Sequence, residues 1–193
     1  MELRGLVRPD RPLLVVALQE EADHLDDDLP ILVTGPGKVQ AAVAVSTALS
    51  TARPAFVVNL GTAGALRDGL GGVYEIATVI QHDFDGAAIR ALVKRDYGLP
   101  IGLDSSGSAG TVLATGDQFI ADGAVRDALA RGADLVDMEG YAVAWAARSA
   151  GVPVRLVKLV SDDAAESAGR TWAESVGEHA RTLARWVREE LVR

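Results

Sequence analysis

The hydrophobic positions of the chain fall into short continuous runs that alternate with longer helical patterns. An unbroken apolar run of four to eight residues is typical of a strand covered on both faces, as in the middle of a mainly parallel sheet. We therefore predict six main strands, at residues 13–18, 31–34, 56–60, 73–80, 111–115 and 154–160.

Helical patterns lie between these runs. We predict helices at residues 39–52, 121–131, 141–150 and 171–192, a short helix near 87–95, and a short apolar run at Leu135 and Val136. Alternating strands and helices favour a three-layer αβα sandwich with a central mixed, largely parallel sheet. The 193 residues are expected to form one domain.

The last predicted helix is amphipathic. Trp172, Val176, Ala180, Leu183 and Val187 recur at helical spacing on one face, opposite acids and arginines.

Composition narrows the class of protein. Hydrophobic residues make up 49% and charged residues 24%, an ordinary globular mixture. The net charge of −8 argues against a protein that tracks nucleic-acid phosphates. The chain has no cysteine, and His24, His82 and His179 lack metal-ligand spacing, so we expect neither a disulfide nor a metal.

Arginines before residues 13–18 superficially resemble the start of a signal peptide. The apolar run is short, however, and Gln19, Glu20 and Glu21 follow it where small cleavage-site residues should stand. We interpret the run as the first central strand. No run approaches the roughly 20 apolar residues that span a bilayer, so no membrane contact and a cytoplasmic location are expected.

Polar or glycine-rich residues stand where the predicted strands end. They are Glu21, the segment 61–64 (Gly-Thr-Ala-Gly), the segment 116–120, Glu139 and Asp162. In open α/β sheets, ligands bind outside the carboxyl ends of the strands. The stretch 134–166, which carries both Glu139 and Asp162, is therefore the expected centre of the chemistry.

Each of these signals also has a structural explanation. The glycines of 61–64 could bind an anion or could simply let the backbone turn. Glu139 could favour a helix start through the helix dipole, and Asp162 with Asp163 could cap a helix. Taken singly, these residues predict acids at one sheet edge and no particular substrate.

In order along the chain, six segments together resemble one family, the nucleoside phosphorylase/nucleosidase superfamily. The chain is most similar to its 5'-methylthioadenosine/S-adenosylhomocysteine nucleosidases. The segments are ALQEE at 17–21, GPGKV at 35–39, NLGTAG at 59–64, TGDQFI at 115–120, VDMEG at 136–140 and KLVSD at 158–162. The resemblance implies hydrolysis of a purine nucleoside, with adenine as base and a 5'-thio substituent, without a cofactor.

The resemblance also implies roles for the reacting groups. Asp162 matches the general acid that makes the purine a neutral leaving group. An aspartic acid holds a proton near neutral pH only if burial or a nearby carboxylate raises its pKa. Glu21 matches the residue that activates the attacking water, and Glu139 matches the carboxylate that holds the ribose hydroxyls.

Apolar contacts complete the implied site. Met138 matches a contact under the sugar. Phe119 and Ile120 match the residues at the purine edge, with the Phe119 ring stacked on the base. Thr62 would place a hydroxyl near the water, and Leu18 would line the pocket.

Asn59 separates two branches of the superfamily. The resemblance places it where phosphorylases have an arginine that holds phosphate, and an asparagine has no charge for a dianion. Water is therefore the expected nucleophile, although Arg67 or Lys38 could substitute for that arginine.

The chain departs from the family pattern in two places, the short link from Glu21 to Ile31 and the region 85–110. In the family these parts help cover the 5' end and contribute to the dimer, so the base and ribose assignments are firmer than the 5' substituent. His82 and Asp83 could contact substrate or form a solvated pair. The alternatives are a phosphorylase, a futalosine-type hydrolase and a non-catalytic purine-nucleoside-binding module; a homodimer is the family's usual form.

Overall fold

The computed structural model describes residues 1–103, 110–165 and 168–192, with the backbone alone at 170–174. The strands are β1 (Glu2–Arg4), β2 (Leu13–Val16), β3 (Ile31–Val33), β4 (Val57–Ala65), β5 (Val73–Glu75), β6 (Thr78–Gln81), β7 (Ile101–Gly102), β8 (Val112–Thr115), β9 (Leu135–Asp137) and β10 (Val154–Asp162). The helices are α1 (Gln19–Ala22), α2 (Lys38–Thr51), α3 (Gly86–Val93), α4 (Gly123–Leu129), α5 (Gly140–Ser149) and α6 (Ala168–Leu191).

The described strands form one mixed sheet in the order β1-β3-β2-β4-β9-β8-β6-β7, with β10 paired to β4 and β5. The central pairs β2–β3, β2–β4, β4–β10, β6–β8 and β8–β9 are parallel. The antiparallel pairs β1–β3, β5–β10 and β6–β7 lie toward the edges, and the antiparallel pair β4–β9 lies in the middle of the sheet. The predicted α/β class with its mixed, largely parallel sheet is confirmed.

Helices cover both faces of the sheet. On one face, α2 buries a stripe at helical spacing, Ala41, Ala44, Val45, Ala48 and Leu49, which packs with α5 against alternate residues of β2. On the other face, α1 and α6 pack over the remaining residues of β2, Leu14 and Val16. The continuous run of β2 is apolar because both of its faces are buried.

The amphipathic pattern of α6 is also confirmed for its described side chains. Ala180, Leu183 and Val187 are buried, and Val176 is half-buried. The side chain of Trp172 lies outside the described residues.

The structure corrects three boundaries. β4 continues through Gly61 and Gly64, which were predicted to lie in a turn. The predicted strand 73–80 is two strands, because β5 pairs with β10 whereas β6 pairs with β8. Asp162 is the last residue of β10 rather than a residue beyond its end.

Three short elements, β1, β7 and α1, were not predicted. They span two to four residues each, too few for a hydrophobic period to be visible. In the described part of the chain, no helix is both long enough and apolar enough to cross a membrane.

Candidate active site

A cavity of about 220 Å³ lies at the ends of β4, β9 and β10, beside α1 and the loop after β8. Its lining includes all eight side chains proposed from the sequence: Leu18, Glu21, Thr62, Phe119, Ile120, Met138, Glu139 and Asp162. Residues that are far apart in the chain therefore meet at one hollow. Their individual roles remain predictions.

Glu21 is buried at one wall of the cavity, with 5% of its surface exposed. Its Oε2 accepts hydrogen bonds from the backbone N of Ala17 at 3.0 Å and of Leu18 at 3.1 Å. Its Oε1 accepts from the backbone N of Thr62 at 3.1 Å. Burial raises the pKa of Glu21, opposed by the charge of Lys158 and by these three hydrogen bonds.

The glycines of β4 are needed for close approach. A Cβ at Gly61 would lie 3.0 Å from Glu21 Oε1 and 3.4 Å from Lys158 Nζ. A Cβ at Gly64 would lie 3.0 Å from both Asp162 Oδ1 and the Ala164 Cβ. This segment is therefore part of a strand rather than a turn, and its missing side chains make room for functional groups.

Lys158 and Asp137 form an ion pair that sequence reasoning missed. Lys158 Nζ lies 2.9 Å from Asp137 Oδ2, and the two side chains are 2% and 1% exposed. Asp137 also accepts from the hydroxyl of Thr115 at 2.6 Å and from the backbone N of Gly140 at 2.8 Å. A lone lysine in the apolar run of β10 was the available signal, since a buried charge needs a partner.

The charge of Lys158 acts on the whole group. Burial alone would lower the pKa of Lys158, but Asp137, Glu139 and Glu21 raise it, and the net direction is upward. Lys158 therefore stays charged behind the cavity. One buried cation faces the three carboxyl groups of Asp137, Glu139 and Glu21. This cluster of side chains as a whole therefore favours holding a proton.

Glu139 is one of these three carboxyl groups, and its pKa is raised. It stands at the start of α5 and is 8% exposed. Burial, followed by the charge of Asp137, raises its pKa to about 7, against the opposing effects of Lys158 and the Gly37 N–H. Its Oε1 accepts from the backbone N of Gly37 at 2.7 Å. Glu139 occupies the N-cap position of α5, but among the described residues its side chain makes no capping hydrogen bond to that helix.

Asp162 is placed by an irregularity in the sheet. The β4–β10 register shifts between Val160 and Asp162, and a bulge of this kind re-aims the side chains next to it. Asp162 Oδ2 is 2.7 Å from the Ser161 hydroxyl, and Oδ1 accepts from the backbone N of Ala164 at 2.9 Å. The hydroxyl of Ser161 also reaches the Ala63 carbonyl at 3.4 Å.

The remaining predicted residues give the cavity an apolar wall. Ile120 is buried, whereas Phe119 is 51% exposed, so its ring is accessible to a flat ligand. Leu18, Thr62 and Met138 are half-buried at the same hollow.

Asn59 does not lie at the cavity. It is buried inside β4, and its Nδ2 donates to the Val15 carbonyl at 3.1 Å. The cations considered as phosphate ligands are paired elsewhere: Lys38 with Asp83, and Arg67 with Asp134. Within the part of the chain that the structure describes, neither arginine nor lysine lines the cavity.

His82 and Asp83 also lie outside the cavity lining. Asp83 pairs with Lys38, and the His82 ring packs so tightly on Gly116 that a Cβ there would lie 2.3 Å from His82 Nε2. Burial lowers the pKa of His82, which favours the neutral ring. The pair belongs to the loops around the site.

Comparison with known proteins agrees with this geometry. A family model described as the phosphorylase superfamily matches residues 107–191. A 5'-methylthioadenosine/S-adenosylhomocysteine nucleosidase of Bacillus subtilis is 31% identical over 154 residues, covering 68% of this chain and 67% of that protein.

Solved structures share the fold. A Helicobacter pylori 5'-methylthioadenosine/S-adenosylhomocysteine nucleosidase, crystallised with butyl-thio-DADMe-Immucillin-A, superposes with a TM-score of 0.81 at 22% identity, covering 93% of this chain and 97% of that one. A futalosine hydrolase of the same organism superposes with a TM-score of 0.80 at 21% identity, covering 93% and 96%. The chain belongs to the 5'-methylthioadenosine/S-adenosylhomocysteine nucleosidase family of the phosphorylase superfamily.

Proposed function

We propose that the protein hydrolyses the N-glycosidic bond of a purine nucleoside of the 5'-methylthioadenosine/S-adenosylhomocysteine type, releasing adenine and the ribose moiety. The observation that carries this proposal is the convergence of Glu21, Glu139 and Asp162 on one cavity. Cleavage passes through a ribosyl cation with oxocarbenium character. The site must therefore stabilise the leaving base, hold the sugar and deliver water.

Asp162 is proposed to protonate the base at N7. The acid lies at the end of β10 and lines the same cavity as Phe119 and Ile120. The neighbouring Ser161 hydroxyl lies 2.7 Å from Asp162 Oδ2, to which it donates, and 3.4 Å from the Ala63 carbonyl, so it helps to fix the orientation of the carboxyl group.

Glu21 is proposed to take a proton from the attacking water. Its raised pKa brings it nearer to neutrality, where a general base works best. The three backbone donors fix the carboxylate, and the Lys158 charge keeps it from holding a proton too strongly. Such base catalysis is typically worth about 10²–10⁴-fold.

Glu139 is proposed to hold the ribose hydroxyls, with Met138 beneath the sugar. A carboxylate accepts from two neighbouring hydroxyls, and its negative charge also stabilises the developing ribosyl cation. The Gly37 N–H occupies only one lone pair of Oε1, so the carboxylate keeps further acceptor capacity.

Water rather than phosphate is the proposed nucleophile. A phosphate dianion needs cationic partners, and the described lining of the cavity offers carboxylates instead. The test is release of adenine from methylthioadenosine by the purified protein with and without phosphate. We expect equal rates and a reducing sugar as product; strict phosphate dependence with a sugar 1-phosphate would contradict the proposal.

The same assay with S-adenosylhomocysteine and futalosine defines the substrate. We expect both adenine nucleosides to react faster than futalosine, and the reverse order would identify a futalosine-type hydrolase. Binding of adenosine analogues without turnover would identify a non-catalytic module.

We also propose a homodimer. Large apolar side chains are exposed on α2, on α5 and around α3, among them Val39, Val43, Trp145, Leu92 and Leu99. Tyr141 joins two of these regions, because its ring stacks on Trp145 and its hydroxyl donates to the Leu99 carbonyl. Sedimentation equilibrium is expected to give twice the chain mass, and Trp145→Glu should shift the measured mass toward that of the monomer.

The predicted cytoplasmic location stays a proposal, which cell fractionation would test.

A further inference from the structure

A charged network beside the cavity joins the start of α2, the end of β6 with the residues after it, and the loop after β8. It consists of Lys38, Gln81, Asp83 and Asp117, and we refer to it as the Lys38 network. Lys38 Nζ lies 2.5 Å from Asp83 Oδ1 and 3.3 Å from Gln81 Oε1. The backbone N of Lys38 donates to Asp117 Oδ1 at 2.7 Å, and the backbone N of Asp117 donates to Asp83 Oδ2 at 2.8 Å.

This network is more than an exposed ion pair. The side chains of Lys38 and Asp83 are only 18% and 28% exposed. Partial burial would raise the pKa of Asp83, but the hydrogen bonds from Lys38 and from the Asp117 backbone, with the Lys38 charge, lower it. Asp83 therefore favours its charged form, and charge-assisted hydrogen bonds are stronger than neutral ones.

The Lys38 network is linked to Glu139 through a single residue, Gly37. Gly37 precedes Lys38, and its backbone N donates to Glu139 Oε1 at 2.7 Å. Two successive N–H groups thus meet two carboxylates, Gly37 with Glu139 and Lys38 with Asp117. Gly37 has a φ of 89°, and a Cβ there would lie 3.1 Å from Asp117 Oδ1. A positive φ of this size favours glycine, and the close approach of Asp117 leaves little room for a side chain at this position.

We propose that Lys38 is a positioning residue, which fixes the Gly37 N–H on Glu139 and thereby orients the carboxylate that holds the ribose hydroxyls. The structural half of this proposal, that Lys38 fixes the Gly37 N–H on Glu139, concerns the ligand-free protein. The catalytic half rests on the proposed function of Glu139.

The structural half is tested by NMR on the ligand-free protein, through hydrogen exchange of the Gly37 amide. Lys38→Met is expected to lower the protection of that amide by about tenfold or more, since an open loop exchanges freely. Lys38→Arg keeps the charge and should restore part of the protection. Lys94→Met removes an exposed lysine at the end of α3 and serves as the control. Unchanged protection in Lys38→Met would overturn the proposal.

The pH dependence of the Gly37 amide shift gives a second measurement. The charged groups that face Glu139 are Asp137 and Glu21, which raise its pKa, and Lys158, which lowers it. The Gly37 N–H also lowers this pKa. Loss of that hydrogen bond should therefore move the titration midpoint to higher pH in Lys38→Met, while a midpoint identical to wild type would contradict the inference.

The catalytic half is tested with two substrates. Lys38→Met is expected to lower kcat/KM for methylthioadenosine by about tenfold or more, because misplaced groups cost rate steeply. It should have a much smaller effect on the 2'-deoxy analogue, which lacks a hydroxyl for Glu139 to hold. Equal losses on both substrates would refute the positioning role.

The two hypotheses fail separately. If the wild-type protein releases no base from any nucleoside, the proposed function is wrong, and the Gly37 amide still decides the role of Lys38. If Lys38→Met does not fold, Asp83→Asn weakens the same link with a smaller change, and the same exchange measurement applies.

Discussion

Replacing Glu139 by glutamine separates the stability of the site from its function. Glutamine keeps the shape of the side chain, and its carbonyl oxygen can still accept from the Gly37 N–H. The substitution removes the charge and replaces the other carboxylate oxygen by an NH2 donor. Because that charge is buried beside Asp137, Glu139→Gln is expected to stabilise the protein while it weakens catalysis.

The magnitude follows from the pKa of Glu139. Its rise from 4.5 to about 7 corresponds to about 3 kcal/mol, at about 1.4 kcal/mol for each pH unit. Below pH 4.5 the carboxyl is protonated in both the folded and unfolded chains, so its contribution to stability is fully present. This contribution is lost as the pH rises through the folded pKa, because the unfolded chain releases its proton first.

The gain in Glu139→Gln should therefore be small near pH 5 and reach at most about 3 kcal/mol near pH 8. Part of it is offset, because Lys158 loses one of the carboxylates that stabilise its charge. Urea unfolding of both proteins at the two pH values measures the difference. Glu20→Gln, at an exposed neighbour of Glu21, is the matched control and should show no such pH-dependent gain. A difference that is the same at both pH values would refute the reasoning.

Three further predictions concern the other parts of the site. Asp162→Asn should lower kcat for methylthioadenosine by about 10²–10⁴-fold. Cleavage of p-nitrophenyl riboside should be nearly unchanged, because nitrophenolate leaves without a proton. Near-wild-type kcat on the nucleoside would remove Asp162 from the mechanism. Gly61→Ala should lower kcat at least about tenfold, since its methyl would lie 3.0 Å from Glu21 Oε1, and full activity in a folded variant would contradict this account. Lys158→Met should cost about 3–5 kcal/mol of stability, because Asp137 is left buried and unpaired; an unchanged urea midpoint would argue against the ion pair.

The parts of the fold that could be predicted from the sequence are those with a complete local pattern. β2 is a continuous apolar run because both its faces are covered, and α2 repeats its buried residues at helical spacing. The extension of β4 could not be predicted, because Gly61 and Gly64 have the composition of a turn. Their presence in a strand is explained by the close approach of Glu21 and Asp162, which is visible only in three dimensions.

The site divides in a similar way. Residue patterns alone indicated acids at one edge of a sheet, and the family resemblance supplied the roles of Glu21, Glu139 and Asp162. The ion pair of Lys158 with Asp137 was missed because its members lie on different strands and meet only through the sheet. The Lys38 network was missed for the same reason, since Asp83 and Asp117 are far from Lys38 along the chain.

The most direct measurement is a crystal structure of the protein with an adenosine-based transition-state analogue. We expect the purine N7 to face Asp162, the ribose hydroxyls to contact Glu139, and an ordered water to bridge Glu21 and the anomeric position. An analogue bound outside this cavity, or bound with its base against Glu139 and its sugar against Asp162, would contradict the account.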